Sequence, residues 1–136
     1  MENINDLPLY KRLGIKEGIE IKLINEPDYY LNLLNGIASK LHFHKKLKSS
    51  VDLIHLFTNS RKELSVEFPF LKDYIKDGGA FFVSWPKNSA NFICDLDEEY
   101  VCEFGKRNGF KPGSPLSIDD YWAALKFTKI TDNYDD

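Results

Sequence analysis

The sequence is short of cysteine, of net charge and of long apolar runs, and each shortage removes a class of protein. Cys94 and Cys102 are the only two cysteines in 136 residues. They form no Cys-x-x-Cys pair and have no histidine nearby, so neither a zinc site nor a disulfide framework is signalled. Two free thiols in a reducing compartment are expected. The formal charge of -3 is too small to draw the whole molecule to nucleic acid or to a membrane surface, so neither partner is expected. No stretch approaches the roughly 18 apolar residues of a membrane span. Residues 1–6 also lack the basic start and apolar core of a secretory leader, and a cytoplasmic location is expected. What remains is ordinary: 43% hydrophobic and 29% charged residues. A chain of this length buries about two-thirds of the surface its unfolded form exposes, so the core needs no metal. The expectation is one domain over residues 1–130, followed by a disordered acidic tail at 131–136.

The chain is organised around residues 77–87. Gly78 and Gly79 suit a turn, residues 80–83 read as a strand buried on both faces, and Trp85 and Pro86 stop it. Before it, residues 19–24 alternate as a first strand, and Pro27 opens a helix to about residue 34. Residues 41–44 form a weak strand, and 51–57 a strong apolar one that belongs at the centre of a sheet. Ser60 and Glu63 have capping-box spacing for the next helix, in which Pro69 predicts a kink or a split. Asp95 and Glu98 repeat the cap spacing, and Asn108 with Gly109 stops that helix. Prolines between 110 and 119 confine a strand to the sheet edge, most plainly at 116–118, and residues 122–130 pair with it as a hairpin.

This order, β-α-β-β-α-β-α-β-β, predicts an α/β, three-layer Rossmann-like fold around a mostly parallel sheet with a C-terminal antiparallel β-hairpin. It resembles a shortened methyltransferase fold, because the segment between Phe43 and Val51 is too short for a crossover helix and one strand-helix pair is missing. Four blocks resemble the bacterial family called domain of unknown function 3052. The first is His55, Leu56, Phe57, Thr58, Ser60, Arg61, Glu63 and Leu64. The second is Gly79, Ala80, Val83, Ser84, Trp85, Pro86 and Lys87. The others are Asp95, Leu96 and Glu98, then Trp122, Leu125 and Lys126. Leu13, Gly14, Ile15, Lys16 and Gly18 fit as well, and residues 111–117 depart from the pattern. The resemblance implies fold and relatedness and carries no reaction.

In open α/β sheets ligands bind at the carboxyl ends of the strands. That places a candidate ligand site at Thr58, Asn59, Ser60, Arg61, Ser84, Trp85 and Lys87, with Arg61 and Lys87 able to hold a carboxylate or phosphate. The competing reading makes Ser60 a cap, Trp85 a packing residue and the cations solvated. No cofactor is expected. S-adenosylmethionine would need a glycine-rich turn after the first strand and a carboxylate after the second, whereas the chain has Asn25, Glu26, Pro27 and Asp28 at one place and His44, Lys45 and Lys46 at the other. His42 and His44 lack the further ligands of a metal site, so no metal is expected. No serine or cysteine has a histidine at a telling spacing, and His55, flanked by apolar residues, reads as a buried, hydrogen-bonded core residue. The leading expectation is a non-enzymatic domain that binds a small anion or a protein partner. The alternative is a small methyltransferase-like enzyme with an atypical cofactor site.

Overall fold

The computed structural model describes residues 7–87 and 94–130, so the acidic tail expected at 131–136 and residues 88–93 lie outside the described residues. Six strands form one sheet: β1 (Glu20–Ile24), β2 (His42–Phe43), β3 (Val51–Phe57), β4 (Ile75–Pro86), β5 (Phe110–Ser117) and β6 (Trp122–Lys129). Their order is β2-β1-β3-β4-β6-β5. The first four run parallel, and β6 is antiparallel to both β4 and β5. The sheet is a shortened methyltransferase-like Rossmann sheet, as the order of elements implies.

Helices cover both faces. α1 (Leu9–Arg12) and α2 (Tyr30–Leu33) bury Leu9, Leu13, Tyr30 and Leu34 against Ile21, Leu53, Phe57 and Phe82. α3 (Arg61–Leu71) and α4 (Glu98–Arg107) bury Leu64, Phe68, Leu71 and Val101 against Ile54, Leu56, Phe81 and Phe127 on the other face. β3 is apolar on both faces because it lies under both layers, and all of it except Asp52 is buried. Gly105 of α4 lets that helix sit close to the sheet, since a Cβ there would meet the Phe127 ring at 2.1 Å.

Four local expectations are corrected. The helix after β1 is a single turn, α2, followed by 3-10 turns at Asn35–Lys40, because Asn35 takes a left-handed φ of 56° that ends α-helical geometry. Pro69 does not split α3, which continues to Leu71. The amide that proline lacks would have bonded Ser65, whose exposed position lets water serve its carbonyl instead. Gly78 and Gly79 lie inside β4, which starts at Ile75, and they absorb a register shift against β3 between Val51 and Leu53. A Cβ on Gly79 would stand 2.7 Å from the Asp52 carbonyl oxygen, so the close approach of two backbones demands glycine there. β5 is indeed an edge strand, but it spans Phe110–Ser117, with its irregularity held between Pro112 and Pro115.

Candidate functional site

From β1 the chain moves outward to β2 on one side, and from β3 it moves outward to β4 on the other. The strand order therefore reverses between β1 and β3, and the segments leaving their carboxyl ends diverge around a crevice. Asn25, at a left-handed φ of 58°, turns the chain away from β1. Thr58 to Arg61 leave β3, and Lys87 follows β4.

Thr58 and Ser84 are both buried. The Thr58 amide donates to the Ser84 carbonyl at 3.0 Å, and Thr58 Oγ1 accepts from the Ser60 amide at 3.2 Å. Ser60 caps α3 as its spacing implies, with Oγ accepting from the Glu63 amide at 3.1 Å. Asn59 is exposed at the lip, and its carbonyl accepts from the Asp95 amide at 3.3 Å. The Arg61 amide donates to Asp95 Oδ1 at 2.8 Å, its Nε donates to the Asp95 carbonyl at 2.8 Å, and its guanidinium lies 4.1 Å from the Tyr100 ring centroid. Asp95 therefore caps α3, while α4 is capped by Asp97, which accepts from the Tyr100 amide at 2.8 Å. A carboxylate at a helix N-terminus is favourable and offsets the unfavourable placement of a cation there. The anion beside Arg61 is supplied by the chain itself.

Lys87 is engaged elsewhere. Its Nζ donates to Ser117 Oγ and to the Asp119 carbonyl, both at 2.6 Å, and so ties the end of β4 to the β5–β6 turn. Arg61 and Lys87 thus hold different elements and share no partner in these contacts. Trp85 is 5% exposed and belongs to the core under α3 and α4.

Behind the crevice lies a trio that sequence spacing does not reveal. Tyr30 Oη is 2.8 Å from His55 Nδ1, and Ser84 Oγ is 2.7 Å from His55 Nε2. In the neutral ring one nitrogen donates and the other accepts, and the two hydroxyls take the complementary roles. The ring also stacks on Phe57, with centroids 4.2 Å apart. Burial lowers the His55 pKa to about 3 and pushes the Tyr30 phenol well above its ordinary value. A serine bonded to a histidine that a third group orients has the layout of an activated nucleophile. Here all three residues are buried, and the trio joins β3, β4 and α2 as a core network. Tyr30 lies 25 residues before His55 and Ser84 29 after it, so only the fold brings them together.

The basic residues between Lys40 and Lys48 do not act as one patch. His44 Nε2 pairs with Glu20 Oε1 at 2.8 Å near the start of β1, where Lys76 also reaches Glu20 at 3.0 Å and Asp52 at 3.4 Å. Lys76 first, and His44 after it, hold the Glu20 carboxyl below its ordinary pKa. Burial pushes the Cys94 thiol up, which opposes the thiolate a nucleophile needs.

No protein-family model matches the sequence, and no curated protein matches it. Solved structures do match. A SAM dependent methyltransferase from Aquifex aeolicus superposes with a TM-score of 0.64 at 13% identity, over 90% of this chain and 88% of that one. A putative type 11 methyltransferase from Sulfolobus solfataricus gives 0.60 at 16% identity, over 93% and 92%. The TehB-like SAM-dependent methyltransferase from Corynebacterium glutamicum gives 0.57 at 12%, over 93% and 90%. The class is therefore a methyltransferase-like Rossmann fold across nearly the whole chain. This corrects the leading functional expectation of a non-enzymatic binding domain, since the three solved structures that share the fold over nearly their full length are methyltransferases; at 12–16% identity the likeness itself is one of fold.

The residues present do not fit the common way of holding S-adenosylmethionine. Asn25 takes a left-handed conformation after β1 with a side chain where a glycine would leave room. After β2, lysines stand where a carboxylate would receive ribose hydroxyls.

Proposed function

We propose that this protein is a small methyltransferase-like enzyme whose cofactor site departs from the common one. The observation that carries the proposal is the sheet order β2-β1-β3-β4-β6-β5, with its reversal between β1 and β3 and its antiparallel hairpin. At these identities the likeness concerns the fold, and the step from fold to activity is made by analogy. Asn59 and Arg61 are the exposed candidates for touching a ligand, with Ser60 beside them at the helix cap. Thr58, Ser84 and Trp85 support the rim from beneath, and Lys87 fixes the hairpin next to it. We assign the chain to the bacterial family of domain of unknown function 3052 on its four motif blocks, and to the cytoplasm on its two free cysteines. No helix among the described residues is long and apolar enough to cross a membrane.

Calorimetric titration with S-adenosylmethionine and S-adenosylhomocysteine tests the reading. Binding tighter than about 1 mM, weakened in Asn59→Ala, is the expected result. Failure of both compounds to bind at that concentration would overturn it.

A further inference from the structure

The connection from β2 to β3 has no helix, so the α3 face of β1 is left uncovered, and a groove of about 540 Å³ runs along it. Its floor is β1, where Lys22 and Ile24 point to the same face because alternate strand residues do. One wall is α3, with Glu67, Phe70 and Leu71. The other wall is the segment after β2, with Lys45, Lys46 and Leu47. This volume lies in the range of small-molecule sites, and its lining combines an apolar body with a few charged groups, as such sites do.

Two features define what would fit. Phe70 is 58% exposed although it belongs to a core helix, so an apolar ring is presented at the groove. Lys45 and Lys46 are exposed and make no ion pair among the described residues. Lys22 donates through Nζ to the Lys45 carbonyl and so holds that wall in place. Two lysines outside any ion pair and an exposed aromatic ring, lining one groove, suit a ligand with a planar apolar body and a multiply charged anionic end. Glu67 on the opposite wall repels the anionic end and can accept from a hydroxyl or amino group, which fixes the direction of binding. The groove reaches Asn25, and because Ile24 pairs with Leu56, Asn25 stands beside the carboxyl end of β3 and hence beside the rim.

We infer that this groove binds a phosphorylated planar heterocycle of the nucleotide class, with the phosphates at Lys45 and Lys46 and the ring against Phe70, as the substrate of the enzyme. The term substrate rests on the enzymatic reading above; the binding does not. The groove uses none of the rim residues between Thr58 and Arg61 or between Ser84 and Lys87.

Calorimetry with ADP, adenosine and inorganic pyrophosphate tests the inference on the parent, on the double variant Lys45→Glu with Lys46→Glu, and on Phe70→Ala. All the changed side chains are exposed, and a thermal melt confirms that each variant folds. The expected result is an ADP Kd below about 1 mM with adenosine at least about tenfold weaker. The double variant should abolish ADP binding, and Phe70→Ala should weaken ADP but leave pyrophosphate unchanged. No binding of ADP, or ADP binding that survives the double variant, overturns the site. Pyrophosphate binding as tightly as ADP overturns the heterocycle. Because the adenosyl compounds are titrated separately, ADP binding without S-adenosylhomocysteine binding removes the enzymatic reading and leaves the groove, and the reverse removes the groove alone.

Discussion

Lowering the pH from 7 to 5 should destabilise this protein through one residue. His55 is fully buried, bonded to two neutral hydroxyls and flanked by aromatic rings, and its pKa is lowered by burial to about 3. In the unfolded chain a histidine titrates near 6.5. Below that value the unfolded state binds a proton that the folded state refuses, so the stabilisation is complete above about 6.5 and is lost as the pH falls toward 3. Each pH unit in that interval removes about 1.4 kcal/mol, which makes about 2 kcal/mol between pH 7 and 5. That is a large share of the roughly 5–15 kcal/mol available to a domain. The window stays clear of Glu20, whose carboxyl is held low by Lys76 and His44 and whose stabilisation is lost only as the pH falls further. Urea unfolding at pH 7, 6 and 5, on the parent and on His55→Gln, isolates the effect because every other group is common to both proteins. The parent should lose about 2 kcal/mol more than the variant across the window. Equal losses in the two proteins would refute the reasoning.

Other substitutions probe separate parts of the structure. Trp85→Ala should cost about 3–5 kcal/mol in denaturant unfolding, and Trp122→Ala less, because Trp122 is only half-buried where it meets Phe57 edge-on at 4.9 Å. Gly105→Ala, which raises intrinsic helix propensity, should nevertheless destabilise by about 1–3 kcal/mol, because the new methyl must displace the Phe127 ring; a gain in melting temperature would contradict the close approach of α4 to the sheet. Asp95→Ala should lower stability by about 0.5–2 kcal/mol through the lost cap on α3, and Asp97→Ala by a similar amount through α4. An unchanged stability for Asp95→Ala would mean that it does not cap α3.

What the sequence made legible was whatever one segment settles for itself. β3 follows from an unbroken apolar run between polar flanks, the Ser60 cap from the Glu63 amide three residues on, and the end of α4 from Gly109, which takes a φ of 85°. The order of elements was enough to give the sheet. Features fixed by a distant partner were not legible. Asp95 has cap spacing to Glu98, but it bonds an amide 34 residues earlier. Gly79 looks like a turn residue until the Asp52 carbonyl is brought against it. Arg61 and Lys87 fall at one rim by strand order, yet the hairpin turn claims Lys87 and Asp95 claims Arg61, and no local pattern foretells either contact. The groove beside β1 is visible in the sequence only as a connection too short to hold a helix.

The proposal of an adenosyl-binding rim is tested most directly by following backbone amide signals in a nuclear magnetic resonance titration with S-adenosylhomocysteine. Shifts should concentrate at Thr58, Asn59, Ser60 and Arg61 and extend to Ser84 and Lys87, with little change in α1. A spectrum that stays unchanged at about 1 mM ligand, or shifts confined to residues far from the carboxyl ends of β1, β3 and β4, would contradict it.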